Sequence, residues 1–478
     1  MGTSTNRGAE DSSAWLAVEG TRLRRADGET SVLRGVSIGG WLNMENFIVG
    51  YPSTESAFRS ALARELGARR SEVLLASLLE AFFGDKDAAF LAAIGVNSVR
   101  IPLNYRHFED DLAPRELKPD GFAHLDRALT ACRRHGLYAV LDLHSLPGAQ
   151  NHHWHSDNRV HRPLLWEHRD FQDRAVGIWV ALATRYKDEP WVAGYNLVNE
   201  PADEQRHRLG AFYRRLATEI RSVDPRHVLF LDGNRYARDF ECFGEPLPNA
   251  VYAVHQYPAP GALPGEGYPG VTAGRYYDAN AVAAEFDQMT AFMRANGVPT
   301  WVGELGPVYT ADAKTNAGRR QLLADQLRLY NERGVSWSLW TYKDIGVQGL
   351  LRVGEGTPWM RRTVEARRKK QRLGADSWAG DTSQMEDVMG PLLTRLQNEF
   401  PRWDPYPFGP SSQANLLVRH MLFAEPLTEE FAKAFSGASE EELVELGRSF
   451  EFSSCRIDEA LADVLHEACT QQGPALAN

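Results

Sequence analysis

Eight short apolar segments rich in β-branched residues recur from Leu33 onward, and longer helical patterns separate them. This alternation is typical of βα units that build a parallel sheet. Several helical patterns end at a glycine, as at Gly136, Gly297 and Gly334, which is a common helix terminator. Eight such units predict an α/β fold, a closed (β/α)8 TIM barrel. The predicted strands are Leu33–Ile38, Ser98–Pro102, Tyr138–His144, Val192–Asn199, Val228–Asp232, Val251–His255, Thr300–Glu304 and Ser336–Trp340.

The rest of the chain is predicted to decorate this barrel. Trp15–Val18 and Arg22–Arg25 flank a Gly20 turn and predict a hairpin that closes the bottom of the barrel. The connection over residues 41–89 is too long for a plain loop, so we expect it to carry helices. The predicted parts are a tail and hairpin at 1–32, the catalytic barrel at 33–354, and a helical extension packed on the barrel at 355–478.

Composition excludes several classes of partner. With 53 Lys and Arg against 63 Asp and Glu, the net charge of −10 offers no basic surface for nucleic acid or an anionic membrane. No apolar run approaches the roughly 18 residues that span a bilayer. Residues 1–13 show no secretory signal, so we expect a cytoplasmic protein. The four cysteines are scattered without a CxxC pair and are expected to be reduced thiols: Cys132, Cys242, Cys455 and Cys469.

Polar residues stand where nearly every predicted strand ends, which is where active sites of such barrels lie. They predict a functional site, because stability alone does not require them there. These residues are Arg100 on strand two, His144 on strand three, Asn199 and Glu200 on strand four, His255 and Tyr257 on strand six, Glu304 on strand seven and Trp340 on strand eight.

Glu200 and Glu304 suit the cleavage of a glycosidic bond. That reaction needs one carboxylic acid to protonate the leaving oxygen and a second carboxylate to attack the anomeric carbon or to activate water. The two residues end strands on opposite sides of one barrel mouth. For a retaining mechanism their carboxyl groups should lie about 5 to 5.5 Å apart.

The remaining polar residues suit supporting roles around this pair. Arg100 can keep the nucleophilic carboxylate ionised, and the amide of Asn199 can bind a sugar 2-hydroxyl. His255 and Tyr257 can orient the two carboxylates. The indole of Trp340 can stack under the sugar ring.

This set of residues resembles glycoside hydrolase family 5, over roughly residues 34–351. The resemblance implies that Glu200 is the acid/base and Glu304 the nucleophile, and that hydrolysis retains the anomeric configuration through a glycosyl-enzyme intermediate. We expect no cofactor and no metal. All eight residues that define the family have a match: Arg100, His144, Asn199, Glu200, His255, Tyr257, Glu304 and Trp340.

Two further stretches are similar to exo-β-1,3-glucanases and β-glucosidase-like members of the family. They are Gly39–Leu42 followed by Glu45, and Leu141–His144 followed by Pro147–Asn151. In those enzymes the equivalent of Glu45 grips the terminal glucose, so a pocket for a chain end is implied. The chain departs from the pattern over 152–158 and again over 342–344. The predicted substrate-binding residues are Glu45, His144, Asn151, Trp154, Asp157, Asn158 and Trp340.

The favoured hypothesis is an exo-acting enzyme that cleaves short β-glucosides, oligosaccharides or small glycosides. An endo-β-glucanase, a β-mannosidase or a glycolipid β-glucosidase of the same family is the near alternative. A carbohydrate-binding barrel without activity is disfavoured because both carboxylates are present. The His153-Trp154-His155 motif has the spacing of an amidohydrolase metal site, but it follows strand three, whereas those enzymes carry it on strand one.

Overall fold

A computed structural model describes residues 13–375, 378 and 382–471, and it contains a closed barrel of eight parallel strands. Each strand pairs with the next along the chain, and β8 pairs with β1, which confirms the predicted (β/α)8 fold. The strands are β1 (Arg34–Ser37), β2 (Ser98–Asn104), β3 (Tyr138–Ser145), β4 (Val192–Asn196), β5 (Val228–Asp232), β6 (Ala250–His255), β7 (Thr300–Leu305) and β8 (Ser336–Leu339).

Helices cover the outside of the barrel, so both faces of the strands are buried. All eight residues of β3 and all seven of β2 are buried, including the polar residues Arg100, Asp142 and His144. The helices up to β8 are Asn46–Val49, Glu55–Leu66, Ala68–Phe82, Asp85–Ala93, Ala123–Arg134, Arg169–Tyr186, Arg208–Val223, Ala259–Ala262, Ala279–Met289, Ala291–Asn296 and Ala313–Glu332.

Strand β4 ends three residues earlier than the sequence predicts. It ends at Asn196, and the backbone N of Asn199 donates instead to Leu143 O at 3.2 Å. Glu200 then adopts the left-handed region, with φ of 46°. The predicted extension of the strand to Asn199 is therefore wrong. Asn199 and Glu200 lie on a tight turn directly above it, because the chain leaves the β4–β5 ladder to face the barrel mouth.

The predicted hairpin lies at the bottom of the barrel. Its strands Leu16–Glu19 and Arg22–Arg25 are antiparallel, and a third short strand, Thr30–Ser31, joins them. Leu16 and Leu23 are buried in one apolar cluster with residues from the barrel strands, including Tyr138, Val228 and Trp301. The predicted tail at 1–12 lies outside the described residues.

The C-terminal part of the chain folds into helices that pack on the barrel. Ala424–Lys433 contacts Glu55–Leu66, and Glu440–Gly447 contacts Ala68–Phe82. Phe450 stacks on Phe82 with ring centroids 5.6 Å apart, so Phe82 belongs to the core. The helices after β8 are Pro358–Arg362, Val364–Arg372, Glu386–Glu399, Gly409–Asn415, the π-helix Leu416–Phe423, Ala424–Lys433, Glu440–Gly447 and Glu459–Thr470.

Apart from the bottom hairpin, four short strand pairings among the described residues lie outside the barrel. Leu351–Val353 pairs antiparallel with Cys455–Ile457 and so joins the extension to the end of the barrel. Among the described helices, none is both long and apolar enough to cross a bilayer. The other short strands are Glu109–Asp110, Ala113–Leu117, Gly270–Thr272, Arg275–Tyr277 and Lys343–Asp344.

Candidate active site

Glu304 lies on β7 with both carboxylate oxygens held. Arg100 Nη1 donates to Oε1 at 2.6 Å, and the Tyr257 hydroxyl donates to Oε2 at 2.9 Å. Burial by itself raises the pKa of this carboxyl, but the charges of His255, Arg100 and His144 outweigh it and lower the pKa to about 2. Glu304 is therefore an ionised carboxylate at neutral pH.

Glu200 faces Glu304 from the turn after β4. Its Oε1 lies 2.8 Å from His255 Nδ1, and its Oε2 lies 3.3 Å from His155 Nε2. His255 Nδ1 is also 3.6 Å from Glu304 Oε2, so it stands between the two carboxylates. One carboxylate oxygen of each glutamate lies within 4.8 Å of the other. The structure thus brings together the two residues that the sequence predicts as the catalytic pair.

Arg100 connects several of the predicted site residues. Besides Glu304, it donates from Nη2 to Asn199 Oδ1 at 2.6 Å and to Asn196 Oδ1 at 3.1 Å. Its Nη2 also lies 3.0 Å from Asp142 Oδ2. A guanidinium presents five donors in a rigid fork, which allows one side chain to fix all of these groups.

A second group of predicted residues lies beside Glu304. The ring of His144 stacks on Trp340 with centroids 5.3 Å apart and planes 9° from parallel. Burial lowers the pKa of His144, but the adjacent Asp142 carboxylate raises it to about 10. Glu45 Oε1 lies 3.6 Å from His144 Nε2, too far for a hydrogen bond, and that oxygen is buried. It is an acceptor that a sugar hydroxyl can use.

These residues line one cavity of about 1250 Å³. Glu45, His144, Glu200, Glu304 and Trp340 form its base. The loop after β3 and the extension form the walls. Their lining residues include His153, Trp154, His155, Trp378, Phe408, Leu416, Arg419 and His420.

A sequence model for the cellulases of glycosyl hydrolase family 5 matches residues 83–346, more than half of the 478 residues. The chain belongs to glycosyl hydrolase family 5. It is therefore a glycoside hydrolase, as the eight matching residues predict.

Proteins of similar sequence differ in how much of the chain they match. A protein of Phanerodontia chrysosporium named beta-xylosidase is 43% identical over 469 residues, 95% of this chain and 98% of that protein. A probable glucan 1,3-beta-glucosidase A of Aspergillus niger is 30% identical over 243 residues, and the match covers 48% of this chain and 56% of that protein. The match to the first protein therefore includes the C-terminal helices, whereas the match to the second covers only about half of each chain.

Solved structures support the barrel of this family-5 enzyme. The crystal structure of an endogalactoceramidase superposes with a TM-score of 0.50 at 18% identity, covering 69% of this chain and 75% of that one. At this identity the likeness concerns the fold.

Three residues predicted to bind substrate do not line the cavity. Asn151 donates to Glu200 O at 3.0 Å, and Asn158 donates to Asn151 O at 2.6 Å. Asp157 accepts from Ser56 N at 2.8 Å and from Arg106 at 2.7 Å. All three are buried, and these hydrogen bonds fix the loop. That they bind substrate stays a prediction.

The structure adds two residues that the sequence prediction missed. His155, considered only as a metal ligand, contacts Glu200 directly. Asp232 ends β5, and its Oδ2 accepts from Glu200 N at 2.9 Å and lies 3.5 Å from His255 Nε2. The sequence could have predicted Asp232, because it is a polar residue at the end of a strand, like the predicted site residues. No local pattern marks His155.

Within the described residues, Glu200, His255 and Glu304 form a group whose ligand atoms approach closely enough to hold a metal ion. Two carboxylates and one imidazole are possible metal ligands. Here the imidazole Nδ1 already contacts Glu200 at 2.8 Å. Neither His153 nor His155 belongs to such a group of three possible metal ligands among the residues that the structure describes. That this family-5 enzyme needs no metal stays a prediction.

Proposed function

We propose that this chain is a retaining exo-β-glycosidase with Glu304 as the nucleophile and Glu200 as the acid/base. The observation that carries the proposal is the approach of their carboxylate oxygens to within 4.8 Å. An inverting enzyme separates its carboxyl groups by about 6.5 to 9.5 Å, so that a water molecule fits between carboxylate and sugar. The shorter distance favours direct attack by one carboxylate.

The contacts of the pair support this division of roles. Glu304 is kept ionised by Arg100 and Tyr257, so an oxygen lone pair can attack the anomeric carbon. As that bond forms, Glu200 transfers its proton to the leaving oxygen and the glycosidic bond breaks. Glu200 then takes a proton from water, whose oxygen displaces Glu304 from the anomeric carbon. Two inversions give net retention.

Recognition of a chain end is supported at the base of the cavity. Glu45 is only 3% exposed, and its Oε1 has no hydrogen-bond partner among the described residues. Burial raises the pKa of this carboxyl, against the opposing effect of His144. A hydroxyl that donates a hydrogen bond to Glu45 Oε1 would therefore offset the cost of burying this oxygen without a partner. A terminal sugar stacked over Trp340 would supply such a hydroxyl.

For the sugar we propose β-xylosides first. The support is the relative named beta-xylosidase, which is 43% identical and matches the C-terminal helices as well as the barrel. β-Glucosides are the second candidate, because the resemblance of Gly39–Leu42 and Glu45 is to glucanases and the relative named glucan 1,3-beta-glucosidase matches about half of the chain. Xylose lacks only the hydroxymethyl group of glucose, a difference worth about 10- to 200-fold in a fitted pocket.

A panel of nitrophenyl β-glycosides tests the proposal, with the full chain and proton NMR of the first-formed sugar. We expect the β-xyloside to be cleaved at least about tenfold faster than the β-glucoside in kcat/KM, and the β-anomer to form first. An initial α-anomer would refute the retaining mechanism. Faster cleavage of internal bonds in long oligosaccharides, or of β-mannosides or glycolipids, would assign the enzyme to one of those alternatives.

The nucleophile is tested with Glu304→Gln, which keeps the shape of the side chain. We expect kcat/KM to fall on the order of 10⁴-fold or more, because an amide cannot form the covalent intermediate. The matched control is Glu332→Gln, at an exposed position where Ala313–Glu332 ends. Full turnover by Glu304→Gln would overturn the assignment.

A further inference from the structure

The cavity is larger than one sugar requires. Its volume of about 1250 Å³ exceeds the roughly 300 to 1,000 Å³ that holds a whole drug-sized ligand. Glu45 and Trp340 occupy the base, where the proposed function places the sugar. The volume that the sugar leaves free is available to the leaving group. The leaving group departs from the side of Glu200, so the residues around Glu200 would contact it.

Five ring side chains form a continuous surface on the Glu200 side of the cavity. We call this surface the ring wall. It starts at His155, whose Nε2 is 3.3 Å from Glu200 Oε2. The ring of His155 stacks with His153 at 5.8 Å between centroids and 9° between planes. The members are His153, His155, Tyr236, Phe408 and His420, and all of them line the cavity.

The C-terminal extension completes the ring wall. Phe408 packs against Tyr236 with centroids 5.1 Å apart, and His420 lies 5.8 Å from His153. Tyr236 in turn meets His153 edge-on at 5.4 Å. Phe408 is still 41% exposed, so one apolar ring stands at the cavity mouth with space beside it. Three separate parts of the chain thus contribute to one surface.

The ring wall carries no charge at neutral pH. Burial lowers the pKa of His153 to about 3, and the neighbouring histidines add to that effect. Burial also lowers the pKa of His155 and of His420 well below the ordinary value. All three imidazoles are therefore neutral aromatic rings, and the surface favours an uncharged partner.

The backbone that presents Tyr236 is strained. Arg235, Tyr236 and Ala237 have φ of 53°, 60° and 59°, three consecutive left-handed residues without a glycine. L-amino acids avoid this conformation because Cβ approaches the following carbonyl. Such strain persists where surrounding contacts impose it, and it concentrates at functional sites. Here it directs the Tyr236 ring toward His153, His155 and Phe408.

We propose that the ring wall is the leaving-group subsite and that it takes a flat aromatic aglycone. The inference rests on the proposed function, because Glu200 must protonate the oxygen that joins sugar and aglycone. A planar ring matches the faces and edges that the wall presents. A second sugar fits less well, since it needs hydrogen bonds around its rim and His155 Nε2 is already occupied by Asn151 Nδ2 at 2.8 Å.

Two glycosides of one sugar test this subsite, the benzyl β-glycoside and the cyclohexylmethyl β-glycoside. Their leaving groups have similar size and similar acidity, so they differ mainly in planarity. For Phe408→Ala we expect kcat/KM to fall about fivefold on the benzyl compound and less than twofold on the cyclohexylmethyl compound. His420→Leu should show the same selective loss. Phe400→Ala, at a 60% exposed position outside the cavity lining, is the matched control.

The β-glycosyl fluoride of the same sugar separates the subsite from the proposed function. Its leaving group is a single atom that needs no aglycone contact. We expect Phe408→Ala to lose clearly less kcat/KM on the fluoride than on the benzyl compound, and Phe400→Ala to hydrolyse the fluoride as fast as the unsubstituted enzyme. Equal losses on the benzyl and cyclohexylmethyl compounds, or a larger loss on a disaccharide, would overturn the aromatic subsite alone. Failure of the unsubstituted enzyme to hydrolyse the fluoride would overturn the proposed function and this inference together.

Discussion

The Tyr257 hydroxyl donates a hydrogen bond to Glu304 Oε2 at 2.9 Å, while Arg100 binds the other oxygen of the same carboxylate. Glu304 is only 6% exposed, so burial without these partners would favour its neutral form. The donors and the nearby positive charges reverse that tendency. The ionised state of Glu304 thus depends on side chains from β2 and from the end of β6.

Removing the Tyr257 hydroxyl should make the nucleophile easier to protonate. In Tyr257→Phe one hydrogen bond to the charged form is lost, so the pKa of Glu304 rises from about 2. We expect the acid limb of the kcat/KM profile to move to higher pH and kcat to fall about tenfold or more. Tyr276→Phe, at an exposed position, should change neither quantity. An unmoved acid limb would show that Arg100 and His255 suffice.

Asp232 should position Glu200 without contacting substrate. Its Oδ2 accepts from the Glu200 backbone at 2.9 Å, and its Oδ1 accepts from Asn196 at 2.8 Å. In Asp232→Asn the negative charge next to His255 is lost, while the shape is kept. We expect kcat to fall about tenfold to a hundredfold with KM nearly unchanged, since a small misplacement of an acid/base group is costly. Steady-state kinetics measure the split.

A matched change on the surface controls for this effect. Asp463→Asn, on the exposed side of Glu459–Thr470, should leave kcat and KM as they are. A purely structural role for Asp232 would instead appear as a lower unfolding midpoint with unchanged kcat.

Lys343 should matter for stability. It is fully buried, and its Nζ donates to Asp87 Oδ1 at 2.9 Å, to Phe82 O at 2.6 Å and to Phe450 O at 2.7 Å. Lys343→Met leaves the Asp87 carboxylate buried without its counter-charge. We expect the free energy of unfolding to fall by about 3 to 5 kcal/mol, measured by urea denaturation.

Another Lys→Met change provides the comparison. Lys369 is 37% exposed and pairs with Glu430 on the surface, so Lys369→Met should cost about 1 kcal/mol or less. Similar losses for both variants would mean that the buried contacts joining the end of β8 to Phe450 contribute little.

Activity should survive removal of divalent metals. Glu200, His255 and Glu304 approach one another closely, but the proposed chemistry needs only their protons and lone pairs. We expect kcat/KM to be unchanged after dialysis against EDTA. An activity that disappears on dialysis and returns with a single divalent ion would assign the group to a metal and reject the two-carboxylate mechanism.

Much of the candidate site could be predicted because it follows from strand ends. Arg100 and His144 lie on strands, and Glu304 lies at the end of one. The apolar pattern of each short segment predicts its strand, and that was enough to place these residues at the barrel mouth. Asn199 and Glu200 were assigned to the correct βα unit, but their backbone conformation was not predicted: they follow the strand in a tight turn. A left-handed turn at Glu200 depends on hydrogen bonds to β3 and β5, which no local pattern reveals.

The sequence by itself determined the barrel and its facing pair of glutamates, because each βα unit is specified locally and closure brings all strand ends to one mouth. Only the tertiary structure decided what surrounds the pair. His155 comes to Glu200 from a loop, and Phe408 meets Tyr236 across 172 positions of the chain. Such contacts follow from how the extension packs on the barrel, and packing between distant segments leaves no periodic signal in the sequence.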